Sequence, residues 1–221
     1  MKMKPINLFN IPKSRIVALV FFSIVAGGDL FAANPSVFES YNLKYGITIK
    51  LPRHWRVLDK QLMDSIDTNT EIMTGIGQGN NDIVIAANYY DSDTGTTAAT
   101  ARVSVRIKQT ASQSDVTAMT QSDLDAQVDP AYKIALSALE KSGNKTTRIT
   151  RYKMTKDEIS GYVAIRADYQ EIAPAHTMNV AIYTIFLGNR IVKVTMSHDA
   201  AQISLLAPTI NEIKKSIRIR E

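Results

Sequence analysis

The chain has 221 residues, 45% of them apolar and 21% charged, with 26 Lys and Arg against 21 Asp and Glu and no cysteine. That length supports one domain with a substantial core. The missing thiols exclude disulfides, a cysteine nucleophile, iron–sulfur clusters, Cys-type zinc sites and a lipidated N-terminal cysteine.

The N-terminal segment reads as an export signal. Lys2, Lys4, Lys13 and Arg15 form a basic n-region, Ile16 to Ala26 an apolar h-region, and Gly27, Gly28, Ala32 and Ala33 a small-residue stretch. The apolar run falls short of the roughly 20 residues a spanning helix needs. A working cleavage point is Ala33–Asn34, which divides the chain into a signal peptide, 1–33, and a single domain, 34–221; the alternative is an uncleaved signal anchor. The leader takes four basic residues and Asp29 with it, so most of the formal charge of +5 leaves too and the mature chain nets +2. That removes the domain-wide basic footprint nucleic-acid binding wants. The expected location is the periplasm, or the medium, with no membrane span in the mature chain.

Asn34 to Tyr41 reads as a loose entry. Leu43, Tyr45, Ile47, Ile49 and Leu51 alternate, which predicts a half-buried strand ended by Pro52. Trp55 to Leu58 predicts a short strand. Asp59 offers an N-cap to a short helix through Ile66, and Thr74 to Asn81 is a glycine-rich loop. Ile83 to Tyr90 is apolar on both faces, predicting a central strand. Ala101 to Gln109 alternates with Val103, Val105 and Ile107 inward, and the two form an antiparallel hairpin.

Leu124, Val128, Tyr132, Ala135 and Leu139 trace one helical face. Asp129-Pro130 suits a fresh start, Asp as cap and Pro in the first turn, so the pattern predicts a turn and then a helix from Pro130 to Lys141, closed by Gly143. Four strands follow without an intervening helix: Thr146 to Met154, Gly161 to Ile172, Met178 to Leu187 and Arg190 to His198. Gly188-Asn189 is a two-residue hairpin loop. Short turns between consecutive strands imply an antiparallel sheet. Ile203, Leu206, Ile210, Ile213 and Ile217 predict a closing helix, with Pro208 marking a break near its start and Lys214, Lys215 and Arg218 favouring its C-terminal dipole.

Chemistry-bearing residues are sparse. His54, His176 and His198 have no second His at ligand spacing, so no zinc motif appears. Ser197-His198-Asp199 has triad residue types, but on a strand His points away from its neighbours. Asp91-Ser92-Asp93-Thr94-Gly95 starts like a calcium loop, yet Arg102 stands where the bidentate acid is needed; a polar turn fits better. Gly75-Ile76-Gly77-Gln78-Gly79 lacks the strand, helix and Lys-Ser/Thr of a phosphate cradle. Asp123, Asp125 and Asp129 suit a helix start better than a catalytic pair. Tyr89, Tyr90 and Tyr183 suit sheet faces. Arg53-His54-Trp55-Arg56 has two readings: Trp55 caps the core edge, or the four residues form a recognition patch, since Trp and Arg are frequent interface anchors.

Three local marks resemble a known family: Tyr45-Gly46-Ile47 running into Pro52-Arg53-His54-Trp55, the hairpin at Gly188-Asn189 feeding Ile191 to Met196, and Ile213 with Ser216-Ile217. The chain resembles the PsbP-like family, whose fold is shared with the nuclear Ran-binding protein Mog and with bacterial envelope proteins such as DcrB. The similarity covers most of Leu43 to Arg218. It implies an α+β fold, an α/β/α sandwich around a central antiparallel sheet, and a non-catalytic role in binding another envelope or secreted protein. An immunity-type inhibitor is a narrower version. No cofactor and no metal are implied. Two rivals stay open: a carrier of an apolar ligand between sheet and helix, and an envelope hydrolase whose carboxylates meet only in the fold.

Overall fold

The computed structural model describes residues 37–63, 81–141 and 146–220. The leader, the glycine loop through Asn80, the end of the helix expected to Ile66, and Gly143 lie outside the described residues. Ten strands are described: β1 (Phe38–Asn42), β2 (Ile47–Pro52), β3 (Arg56–Val57), β4 (Asn81–Tyr90), β5 (Thr97–Ile107), β6 (Arg148–Ile159), β7 (Tyr162–Ile172), β8 (Thr177–Phe186), β9 (Arg190–Asp199) and β10 (Arg218–Ile219). With them are helices α1 (Gln113–Ala118), α2 (Gln121–Lys141) and α3 (Ile203–Ser216). The fold is α+β. A seven-stranded sheet runs β3-β4-β5-β9-β8-β7-β6, and a three-stranded sheet runs β1-β2-β10. Every pairing is antiparallel, as short connections between consecutive strands require.

The register sorts the large sheet's side chains onto two faces. Val103, Val194 and Tyr183 lie opposite one another, as do Val105, Val192 and Ile185. This face packs against Ile47, Ile49 and Leu51 of β2 and against Leu206 and Ile213 of α3, forming the main core. The opposite face carries Tyr169, Met178 and Val180, which pack with Ala135 and Leu139 of α2. The stripe read from the closing helix is the one that docks: Leu206, Ile213 and the following Ile217 are buried, whereas Ile203 at its start is half exposed.

Several expectations are corrected. Helix α2 runs unbroken from Gln121 through Pro130. Its start is instead a reciprocal cap: Thr120 N donates to Asp123 Oδ2 at 2.7 Å, and Asp123 N donates to Thr120 Oγ1 at 3.2 Å. Burying Leu124, Ala135 and Leu139 along one face outweighs the ladder bond that Pro130 cannot make. Pro208 likewise sits inside α3 rather than breaking it. Tyr45 is not in strand geometry: Lys44–Gly46 is a 3-10 turn with Tyr45 at φ 60°. Gly46 (φ +69°) receives Arg220 N on its carbonyl at 3.0 Å, and a Cβ there would sit 2.9 Å from the Arg220 carbonyl oxygen, so this close approach needs glycine. Ile107, expected inward, ends β5 in solvent. Asn81 opens β4 rather than ending a loop. Strand β4 is close to the sheet edge, since β3 covers it only at Ala87 and Asn88. Three elements had no sequence signal strong enough to read: β1, the six-residue α1 on its Ser112–Asp115 capping box, and β10.

Candidate functional site

The expected patch divides on folding. Trp55 is 4% exposed. Its ring stacks on Tyr89 at 6.3 Å and 25°, and His54 meets the same Tyr89 edge-on at 5.5 Å. The indole Nε1 is buried with no partner among the described residues. Trp55 is thus part of the core and presents no anchor to solvent, while Arg53, His54 and Arg56 remain at the surface.

Asp91, Ser197, His198 and Asp123 are each engaged in local structure. Asp91 Oδ1 accepts from Asp93 N and Thr94 N, both at 2.9 Å, and Asp91 Oδ2 accepts from Gln202 Nε2 at 2.6 Å. The Thr94 amide, with Gln202 next, holds this carboxyl below its ordinary range. It ties the β4–β5 turn to the entry of α3. Ser197 bonds Thr100 across the strands at 2.8 Å, whereas His198 Nδ1 lies 3.0 Å from the Asp199 carbonyl oxygen. The two side chains lie on opposite faces and form no triad. Asp123 is the cap of α2. Among the described residues no group of three His, Asp or Glu side chains could hold a metal ion.

What the fold does assemble is a groove of about 410 Å³ between α3 and the β7–β8–β9 surface. Its wall on α3 is Ile203, Ala207, Ile210, Asn211 and Lys214, and its floor includes Ala181, Tyr183 and Met196. Small residues at Ala181 and Ala207 leave the hollow. At one end lies a charge network. Lys214 Nζ is 2.6 Å from Asp157 Oδ1, Arg166 Nη1 is 3.1 Å from Asp157 Oδ2, and Arg166 Nη2 is 2.8 Å from Asp168 Oδ1. Both cations lie over the Tyr183 ring, at 5.5 Å for Arg166 and 5.1 Å for Lys214. Burial disfavours the Asp157 charge, but donors from Lys214, Glu158 N and Arg166 outweigh it and hold the carboxyl below its ordinary range. Burial likewise works against the Arg166 charge, and Asp168 overcomes it. Burial pushes the Tyr183 phenol up to about 12, so the hydroxyl stays a neutral donor.

The middle of the floor is neutral and polar. Gln170, Asn179 and His198 lie side by side on β7, β8 and β9. Gln170 Nε2 donates to Asn179 Oδ1 at 2.9 Å. The far wall comes from a bulge in β6. Thr150 pairs with Gln170 and Lys153 with Asp168, so β6 spends one residue more than β7 there. The extra residue lets Ile149 and Tyr152 both reach the α2 face while Arg151 and Lys153 line the groove. Arg151 has φ 56°, a conformation that costs a non-glycine residue about 1–2 kcal/mol. Neither the bulge nor the meeting of β6 with α3 is readable from the sequence. The only local signal was an excess of Arg and Lys in a stretch expected to be a strand.

No protein-family model matches the chain, and a search of curated proteins finds no match. Solved structures do resemble it. The solution structure of cyanobacterial PsbP (CyanoP) from Synechocystis sp. PCC 6803 is 11% identical, covers 87% of this chain and 98% of its own, and superposes with a TM-score of 0.52. LpqN of Mycobacterium tuberculosis, described as involved in cell envelope biogenesis, is 11% identical over 86% of this chain and 87% of its own, with a TM-score of 0.44. PA94 of Pseudomonas aeruginosa, a putative regulator by its description, is 13% identical over 83% and 98%, with a TM-score of 0.37. The fold of this chain is PsbP-like. Among the described residues no helix is long and apolar enough to cross a membrane.

Proposed function

We propose that this chain is an exported, non-catalytic binding protein of the bacterial envelope. In this reading residues 1–33 are a leader removed at Ala33–Asn34, and residues 34–221 form one α/β/α sandwich. It works in the periplasm by holding another envelope or secreted protein, and an immunity-type inhibitor is one form such a binder takes. The groove between α3 and the sheet supports this. The carboxylate that lines it, Asp168, and Asp157 behind it are both paired with Arg166. A hydrolytic pair needs one carboxyl held neutral to donate a proton, and Asp157 is held ionised instead. The carboxyl that burial does raise, Glu171, faces the α2 side of the sheet with Tyr169. This charge pairing supports a groove that holds a ligand rather than one that cuts it.

A second contact surface of the same binder is Arg53, His54 and Arg56, which stay exposed around the buried Trp55. The test is photo-crosslinking in intact cells from a probe at Asn211 in the groove and, separately, at Arg53. The expected result is a discrete adduct from periplasmic extract, on a chain whose N-terminus is Asn34. An unprocessed chain in the cytosol, or a purified protein that turns over an envelope substrate, would overturn the proposal.

A further inference from the structure

Building on the binding reading above, we infer that the groove takes an extended acidic peptide segment of the partner. Its carboxylate side chains would meet Arg151 and Lys153, and the backbone N–H and C=O of one of its residues would meet the Gln170–Asn179 pair.

Charge is the first ground. Four cations line the groove, Arg151, Lys153, Arg166 and Lys214, against one lining carboxylate, Asp168. Lys214 and Arg166 are together balanced by two carboxylates, Asp157 behind them and Asp168. Arg151 has no partner among the described residues, and Lys153 reaches Asp168 only at 3.9 Å. Positive charge is thus left over on the β6 wall alone, placed there by the bulge.

Hydrogen bonding is the second ground. Gln170 and Asn179 are part-buried and spend one donor and one acceptor on each other. Whichever way the amides are turned, the NH2 of one and the C=O of the other remain uncommitted. A free donor beside a free acceptor is the complement of one residue of an extended strand, whose own N–H and C=O point to the same side. Beside them on β9 stands His198, and Tyr183 lines the groove further along β8. The opposite wall, on α3, carries an apolar stretch, Ile203, Ala207 and Ile210, beside Asn211 and Lys214, with Ile203 52% exposed. An extended peptide carries side chains alternately to either side. Acidic side chains toward β6 and apolar ones toward α3 fit this groove, and such a chain would read as alternating apolar and acidic residues.

A fluorescein-labelled peptide of alternating leucine and aspartate tests this by anisotropy on the full chain, beside its leucine–lysine counterpart and beside vesicles of phosphatidylglycerol. The acidic peptide should bind, weaken with rising salt, and lose at least about tenfold in affinity to the Arg151→Glu/Lys153→Glu double variant. Both positions are exposed, so the double variant should keep the parent melting temperature. Arg151→Lys should retain binding. Asn179→Leu should weaken the peptide without changing its salt dependence. Equal binding of the lysine peptide, an unchanged affinity after double charge reversal, or binding of the vesicles alone would overturn the inference. An envelope partner still crosslinked from Asn211 by a chain that ignores the acidic peptide would overturn it too, while leaving the binder reading in place.

Discussion

Replacing Asp157 with Asn tests the claim that the groove's charges are locked to one another. The carboxylate accepts from Lys214 Nζ at 2.6 Å, Glu158 N at 2.7 Å and Arg166 Nη1 at 3.1 Å. Removing one partner of a fully buried pair costs about 3–5 kcal/mol, and an exposed pair about 0–1 kcal/mol. Here the Asp157 and Lys214 side chains are 21% and 18% exposed and Arg166 is 35% exposed. The cost should fall between those limits, about 2 kcal/mol, because Lys214 and Arg166 would be left crowding Tyr183 without an anion. In a domain of this size that lowers Tm by roughly 4–8 °C. The pH dependence carries the sign. Asp157's folded pKa lies below its ordinary value of 3.8, so its stabilisation is complete above that value and is lost as pH falls through the folded pKa. Thermal melts of parent and Asp157→Asn should differ fully at pH 7 and converge in acid. A deficit of under about 1 °C at pH 7, or one that persists unchanged in acid, would refute the reasoning.

Trp55→Ala should cost about 3–5 kcal/mol, the loss for a large aromatic in a core. It should show in urea midpoints, whereas Arg53→Ala should leave the midpoint unchanged. Pro130→Ala should raise stability by about 1 kcal/mol, since it restores a ladder bond and removes a clash in α2; a lower Tm would mean that α2 needs its proline geometry to pack. Burial raises the Glu171 carboxyl, so its folded form is favoured below the ordinary glutamate pKa and disfavoured as pH rises through the raised one. Glu171→Gln should therefore stabilise the protein at pH 7 and lose that advantage in acid, as read by melts across pH. Thr120→Ala should cost about 1 kcal/mol through loss of the α2 cap.

The strands and the faces they bury were legible because each rests on a local period. Val103 and Val105 alternate on β5, the Gly188-Asn189 turn forces β8 and β9 into a hairpin, and Leu206 and Ile213 recur at helical spacing. The proline breaks were misread because local propensity was weighed without the packing that overrides it. Pro130 stays helical since Leu124 and Leu139 are both buried along the same helix. Elements β1 and β10 are pairing events rather than patterns: each exists because β2 offers it an edge.

The sequence by itself determined the order of the long strands and of helices α2 and α3, which side of most of them is apolar, and that no thiol chemistry operates here. Only the tertiary structure decided the groove. Asp157, Arg166 and Lys214 come from β6, β7 and α3, and nothing in their spacing foretells that they meet over Tyr183. The one-residue bulge that turns Arg151 toward them is a matter of register between β6 and β7. Register and docking are set by long-range burial, summed over many weak contacts, and a local window of sequence carries only its own share of that sum.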